Sequence, residues 1–574
     1  MLVATTVPAS PDSEFEALAE EYVYGISEVS PVYATQIGDH SADDRLDQVD
    51  ADGRARERRF LLRHRKALAA IDRKSLSRAN QVDAALLKND IEYNLWSLGT
   101  LQEWAWNPLV YVNIAGGSIY ALLARDFAPV EQRLASAAAR LEQLPRFFSQ
   151  VRGALDPARV PKVHAETAVA QNGGLITIID QMIVPELDAL DPDARAELET
   201  AIATAREAIA DQQAWLENEL VPRAAGNFRL GAELYDRKLA FVLDSPLSRR
   251  EIRRRAESEY DAVRRQMYEV SKEVYLQKYP FTAFPDRPDE AYKQAIIRAA
   301  LEEAYRHLPP PDGIVDIARQ YLRQASDFVV EKNIVTLPDE PVEIIIMPEF
   351  QRGVAVAYYD GPGPLDKGQK AYYAVAPLPE TWTEEQIESF LREYNLYSLQ
   401  DLTIHEGVPG HYLQLSLSNR YPSTLRAVLG SGPFIEGWAV YAERVMIDAG
   451  YMDGDPLMRL INLKWYLRAV TNAIIDSAIH VDGMSREAAM KLMVEGGFQE
   501  EREAAGKWTR AQLTSAQLST YFVGYQEHVE LRRAVERAWG DEFSLKRYHD
   551  QALSYGSPPV KHVRALMLDE PIPD

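Results

Sequence analysis

The sequence predicts a mostly helical protein with one small β-sheet. Three observations carry this. Apolar residues recur with a period near 3.6 in segment after segment from about Glu14 onward. Short β-branched and aromatic runs are confined to the stretch that follows Leu337. No Gly/Ser- or Pro-rich linker and no internal repeat divides the 574 residues, and 46% of them are hydrophobic, enough for a large core. Length alone suggests about four domains, but the missing linkers favour one folding unit.

Taken in order, Glu16–Glu28, Ala55–Ile71 and Asn80–Leu101 mix apolar and charged residues at helical spacing. Pro129-Val130-Glu131-Gln132 opens a further helix with its proline early, where a missing N–H costs little. Ala165–Leu187 and Pro192–Leu220 continue the pattern. Asn113-Ile114-Ala115-Gly116-Gly117-Ser118 and Asn172-Gly173-Gly174 read as punctuation, and neither glycine pair has a P-loop lysine or dinucleotide spacing. Ser248–Lys278 and Asp289–His307 are charged amphipathic helices. In the first, the basic run Arg249–Arg255 is followed at once by Glu257 and Glu259, which marks a solvated face. The strands are expected at Val342–Met347, Val354–Tyr359 and Ala371–Val375. Tyr358, Tyr359, Tyr372 and Tyr373 are then either lining for a substrate cleft or ordinary sheet packing. Tyr394–Ile404 and Leu460–His480 return to helical spacing.

The chain carries 63 basic and 86 acidic residues, a net charge of −23, which argues against a nucleic-acid partner. Cysteine is absent, which excludes disulfides and a thiol nucleophile. No stretch approaches the ~20 apolar residues of a membrane helix, and Met1–Ser13 lacks the basic and apolar segments of a secretory signal, so a cytoplasmic location and no membrane partner are expected. No feature assigns an oligomeric state.

The chemistry gathers at His405-Glu406-Gly407-Val408-Pro409-Gly410-His411. Two imidazoles bracket a carboxylate. Histidines four apart share a helix face, but six apart they diverge by about 240° at ~100° per residue. Gly407, Pro409 and Gly410 lie between them, and such residues interrupt helices. A break that folds the chain back would bring the rings together; an ordinary loop would not. Glu436 lies 25 residues beyond His411, in a helical run with Trp438, Tyr441 and Glu443. A partly buried carboxylate there needs a partner, which a metal or a salt bridge supplies. Two imidazoles and one carboxylate bind zinc and leave a position for water, and Glu406 is placed to take that water's proton. Glu443 is then a partner for a ligand histidine or a surface charge.

Two more features lie downstream. Asp476 and His480 are four apart and can meet on one face. His480 could then hold a substrate oxyanion, orient a ligand, or simply be satisfied by Asp476. Arg532 could pair with a substrate carboxylate through two parallel donors, or be an ordinary surface arginine.

Nearly end to end, the chain resembles the bacterial family called domain of unknown function 885. The resemblance rests on Phe15–Tyr22, Ser30–His40, His405–Gln414, Glu436–Glu443, Asp476–His480 and Gly483–Glu487. That family in turn resembles the mostly helical gluzincin peptidases, such as thimet oligopeptidase and the Taq-type carboxypeptidases. The resemblance implies a zincin-like body of two helical lobes, with a small sheet beside a deep cleft: residues 1–336 as N-terminal lobe and 337–574 as catalytic lobe. It implies His405, His411 and Glu436 as Zn2+ ligands and Glu406 as base. Ala516–Tyr525 is similar to the segment that supplies a catalytic tyrosine in thimet-type enzymes, which makes Tyr521, and next Tyr525, the candidate oxyanion donor. The implied activity is zinc-dependent cleavage of short peptides or peptide-like amides. A hydrolase of small non-peptide amides or esters and a non-catalytic binding protein are the alternatives.

Overall fold

A computed structural model describes residues 10–347, 357–378 and 382–573. The protein is mostly helical, with a three-stranded sheet. Many helices start where a short polar side chain can accept an N–H of the first turn. Ser10 does so for Pro11–Val29, Asp50 for Ala51–Ala70, Asp191 for Pro192–Trp215, Ser248 for Arg249–Lys278 and Asp289 for Glu290–Ala304.

The first half packs Pro108–Leu123, Val130–Ala154 and Pro192–Trp215 around Ile119, Leu141, Leu144, Phe147 and Ala205. A second core joins early and late helices. Tyr235, Ile252, Val263 and Ile297 share it with Leu460, Leu467, Val470 and Val523. In a third, Ala325 and Val329 meet Ile404, Phe434, Trp438 and Val535. Residues on both sides of position 337 thus build the same cores.

Two expectations change. Gly116 and Gly117 are not punctuation; they lie inside the continuous helix Pro108–Leu123. A Cβ on Gly117 would stand 2.3 Å from the Gln36 side-chain nitrogen, the tip of a flexible side chain that can move aside. The run over Ala165–Leu187 is not continuous: it breaks at Gly173, after Lys162–Asn172 ends, where Asn172-Gly173-Gly174 reads as punctuation.

The strands are β1 (Val342–Ile346), β2 (Ala357–Asp360) and β3 (Ala371–Val375), in the order β1-β3-β2. β1 runs parallel to β3 and β2 antiparallel, with Tyr373 opposite both Ile344 and Tyr359. Val354–Val356, expected in the second strand, lie outside the described residues. The amino-terminal helices hold the β2–β3 connection at two points. Arg125 Nη2 donates to Asp360 Oδ1 at 2.9 Å, and Tyr120 O–H donates to Asp360 Oδ2 at 2.9 Å. His40 sits between Asp43 (3.0 Å) and Asp366 (3.1 Å), stacked on Phe127 with ring centres 3.5 Å apart. Burial lowers the His40 pKa, but the hydrogen bonds and charges of Asp366 and Asp43 outweigh it and carry the ring up to about 9. These ties fix the edge of β2, which bears on the site.

Candidate metal centre

The helix Leu396–Glu406 starts on Asn395, whose Oδ1 accepts from Tyr397 N–H (3.1 Å) and Ser398 N–H (3.2 Å). It ends at Gly407, and a new helix, His411–Ser418, starts four residues later. The break turns back on itself: Gly410 N–H donates to Ile404 O at 3.0 Å. A Cβ at Gly410 would lie 1.8 Å from the carbonyl oxygen of His405, so no larger residue fits. From outside, the Trp438 indole N–H donates to Pro409 O at 2.8 Å. The six-residue spacing therefore does not separate the histidines. Their ring centres lie 4.7 Å apart, nearly perpendicular at 87°.

Glu436 comes from the helix Gly432–Asp448, which Ser431 caps. This helix crosses Thr520–Trp539 with backbone touching backbone. A Cβ on Gly437 would stand 2.2 Å from the carbonyl carbon of Gly524, and one on Gly524 1.9 Å from Pro433 O. The crossing sets Glu436 beside Tyr521, one turn before Gly524. Glu436 Oε2 lies 3.8 Å from His405 Nε2 and 3.4 Å from His411 Nε2. One ligand atom from each of the three residues falls within 4.8 Å of the others, so the group could hold a metal ion. Two ring nitrogens and one carboxylate oxygen suit zinc with one position open. Among the described residues, His411 Nδ1 is buried without a hydrogen-bond partner.

Behind His405 runs a buried polar chain. His405 Nδ1 lies 2.6 Å from Glu443 Oε1, and Glu443 is 3% exposed. Glu443 is hydrogen-bonded to Asp401, one helical turn before His405, and Asn462 Nδ2 donates to Asp401 Oδ1 at 3.2 Å. Burial pushes both carboxyls well above their usual range, helped by Glu443 for Asp401 and, against the pull of His411, by Glu406 for Glu443. Burial, then His411, lowers His405 and favours the neutral ring a ligand needs. Burial also opposes charge on His411 and Glu436, but their mutual hydrogen bond and attraction win, raising the histidine and lowering the acid.

Glu406 Oε2 accepts from Tyr359 N–H at 2.9 Å, so its carboxylate lies against the outer edge of β2. The Tyr521 hydroxyl accepts from Arg510 Nη2 at 3.1 Å. Burial and then the Glu436 charge push this phenol up.

Other expected site residues lie elsewhere. Tyr373 is 1% exposed and packs behind the motif helix against Thr403, out of reach of a cleft. Tyr372 lies under the Arg125 guanidinium, 4.8 Å from it, and faces the amino-terminal helices. Tyr525 packs on Tyr466, ring centres 4.4 Å apart. Arg532 Nε donates to Glu536 Oε1 at 2.8 Å, one turn along its own helix, and its guanidinium also hydrogen-bonds Tyr441. His480 is 2% exposed, and its Nε2 meets two carbonyls, Ala511 O (2.8 Å) and Thr514 O (2.7 Å). Asp476 supports no ligand histidine: it accepts from Ala516 N–H, Ser519 N–H and the Ser519 hydroxyl. Together these two hold the turn between Arg510 and Tyr521.

Sequence reasoning missed four groups here. Asp401 was findable, since it precedes His405 by one turn. The Tyr359 N–H, Asn462 and Arg510 left no signal in the spacing.

Fold and site together define a class: a helical protein whose half-buried His–His–Glu cluster sits beside the edge of a small sheet. Within it, the chain belongs to the family described as "Bacterial protein of unknown function (DUF885)", whose model matches residues 31–567. The fold is similar to a candidate lipoprotein of unknown function from Shewanella oneidensis, with TM-score 0.82 and 34% identity over 96% of this chain and 99% of that one. It is also similar to a candidate lipoprotein from Colwellia psychrerythraea, with TM-score 0.80 and 18% identity over 98% of this chain and 100% of the other; that likeness speaks to the fold alone. A search of the curated proteins finds no match. No helix among the described residues is long and apolar enough to cross a membrane.

Proposed function

We propose that the protein is a zinc-dependent hydrolase of short peptides or peptide-like amides. The observation that supports this best is the meeting of His405, His411 and Glu436 across a broken helix, with Glu406 next in sequence to the first of them. When bound by these three, zinc supplies an activated water and polarises the scissile carbonyl. Glu406 takes the proton of the attacking water and delivers it to the leaving amine. Tyr359 N–H holds one oxygen of that carboxylate, which leaves the other for the proton. The Tyr521 phenol, beside Glu436, donates to the developing oxyanion. The edge of β2 aligns an extended peptide by backbone pairing. The reading includes a gluzincin-like body of two lobes about a deep cleft.

Zinc analysis and hydrolysis of a panel of short peptides and small amides test it together. Purified protein should carry one zinc. Glu406→Gln should keep the metal and lose about 10²- to 10⁴-fold in turnover. Absence of stoichiometric zinc, or full activity in that variant, overturns the reading. Turnover of small amides alone would move the substrate class to non-peptides.

A further inference from the structure

In a chain of net charge −23, arginines readily find carboxylates. Arg510 does not. It is exposed, near the end of the helix Glu501–Leu513, and its Nη2 donates to two neutral oxygens: Gln517 Oε1 and the Tyr521 hydroxyl, each at 3.1 Å. Among the described residues no carboxylate lies within ion-pairing distance of it, and its Nε and Nη1 edge carries no hydrogen bond.

The ground behind it is also short of negative charge. Lys507, one turn earlier and 7% exposed, has Glu503 as its nearest acid, at 4.0 Å. Glu503 is already held by Arg468 Nη2 at 2.5 Å. Arg468 also meets Glu393 Oε1 at 3.5 Å, and Glu393 holds Lys464, so two acids serve three cations here. Burial and Arg468 lower the Lys507 amine to about 7. Arg510 touches Tyr521, which stands beside Glu436, so this positive wall is at the rim of the cluster. A divalent ion in the cluster would engage the Glu436 charge, leaving the more distant Glu503, already shared with Arg468 and Lys507, as the other acid that acts on Arg510.

We propose that the free edge of Arg510 receives a carboxylate of the substrate, so the preferred substrates carry a carboxylate within about one residue of the bond cleaved. This rests on the hydrolase reading for what happens to the ligand, but not for its binding. A planar guanidinium edge with two parallel donors matches a carboxylate. That carboxylate is either a peptide's own C-terminus or an acidic side chain.

The test uses the full zinc-loaded chain. Calorimetry measures binding of a dipeptide as free acid, as C-terminal amide, and as an amide with glutamate at its last residue. Hydrolysis of matched tripeptides is followed alongside. The free acid should bind about 10- to 100-fold more tightly than its amide. Arg510→Gln should erase that difference, mainly in KM for any peptide hydrolysed, and Arg510→Lys should restore part of it. If only the glutamate-bearing amide binds tightly, the carboxylate is a side chain's. Equal binding of the free acid, its amide and the glutamate-bearing amide to the wild type, or a preference that survives in a folded Arg510→Gln, overturns the proposal even if peptides are cleaved. No detectable binding of any of the three at millimolar concentration also overturns it. An acid preference lost in Arg510→Gln without any turnover leaves the anchor standing and removes the hydrolase.

Discussion

Glu443 gives the sharpest lever on the cluster, because one change should move two properties in opposite directions. Its Oε1 stands 2.6 Å from His405 Nδ1 in a nearly dry setting. A hydrogen bond to a charged partner is worth about 1.5–3 kcal/mol, or about 10- to 150-fold in an equilibrium constant. Outer partners of ligand histidines lower metal affinity about 10- to 100-fold when removed. Glu443→Ala should therefore weaken zinc binding by that factor, with Glu443→Gln between it and the wild type, since an amide oxygen still accepts from Nδ1–H. Without metal the sign reverses. Burial raises the folded pKa of Glu443 above its unfolded value, so its contribution is intact below the unfolded pKa and falls as pH rises beyond it. The metal-free Gln variant should then melt at or above the wild type at pH 7. The assay pairs competitive titration against a zinc-binding dye with thermal melts of metal-free protein. Unchanged zinc affinity in a folded Glu443→Ala would refute the assignment of His405 as a ligand oriented from behind.

Gly524→Ala should cost about 1–3 kcal/mol or more, because its methyl group would meet the Pro433 carbonyl oxygen at 1.9 Å; Gly506→Ala, exposed with nothing within 4 Å, should be neutral or gain up to about 1 kcal/mol, and denaturant midpoints compare the two. His40→Gln should cost most at low pH. The folded pKa of about 9 exceeds the unfolded ~6.5, so the contribution is complete below 6.5 and is lost as pH rises through 9. With its side chain 25% exposed, about 1–2 kcal/mol is expected, and a stability gap to wild type that stays constant from pH 6 to 10 would count against it.

Much of the helical frame was legible because local signals agree. Ser248 and Asp289 stand before their helices and do accept from the first turn. The Gly116-Gly117 pair misled because Pro108–Leu123 keeps its helix through packing against distant parts of the chain, which leaves no local trace in the glycines. Of the site, His405, His411 and Glu436 could be picked by residue type and by the breakers between them. The carboxylate partner of His405 was also within reach at helical spacing. The backbone N–H of Tyr359 could not be picked, since every residue has one. Spacing alone leaves Asp476 and His480 undecided: an acid and a histidine four apart look the same whether they face a substrate or tie down a turn, as these two do.

The contact of Gly437 with Gly524 sets the distance between the helices that carry Glu436 and Tyr521 by main chain alone. Side chains around it can be exchanged over evolutionary time, or in a redesigned interior, without letting the two helices drift closer. The spacing of the reactive groups is thereby insulated from the slow turnover of the packing that surrounds them.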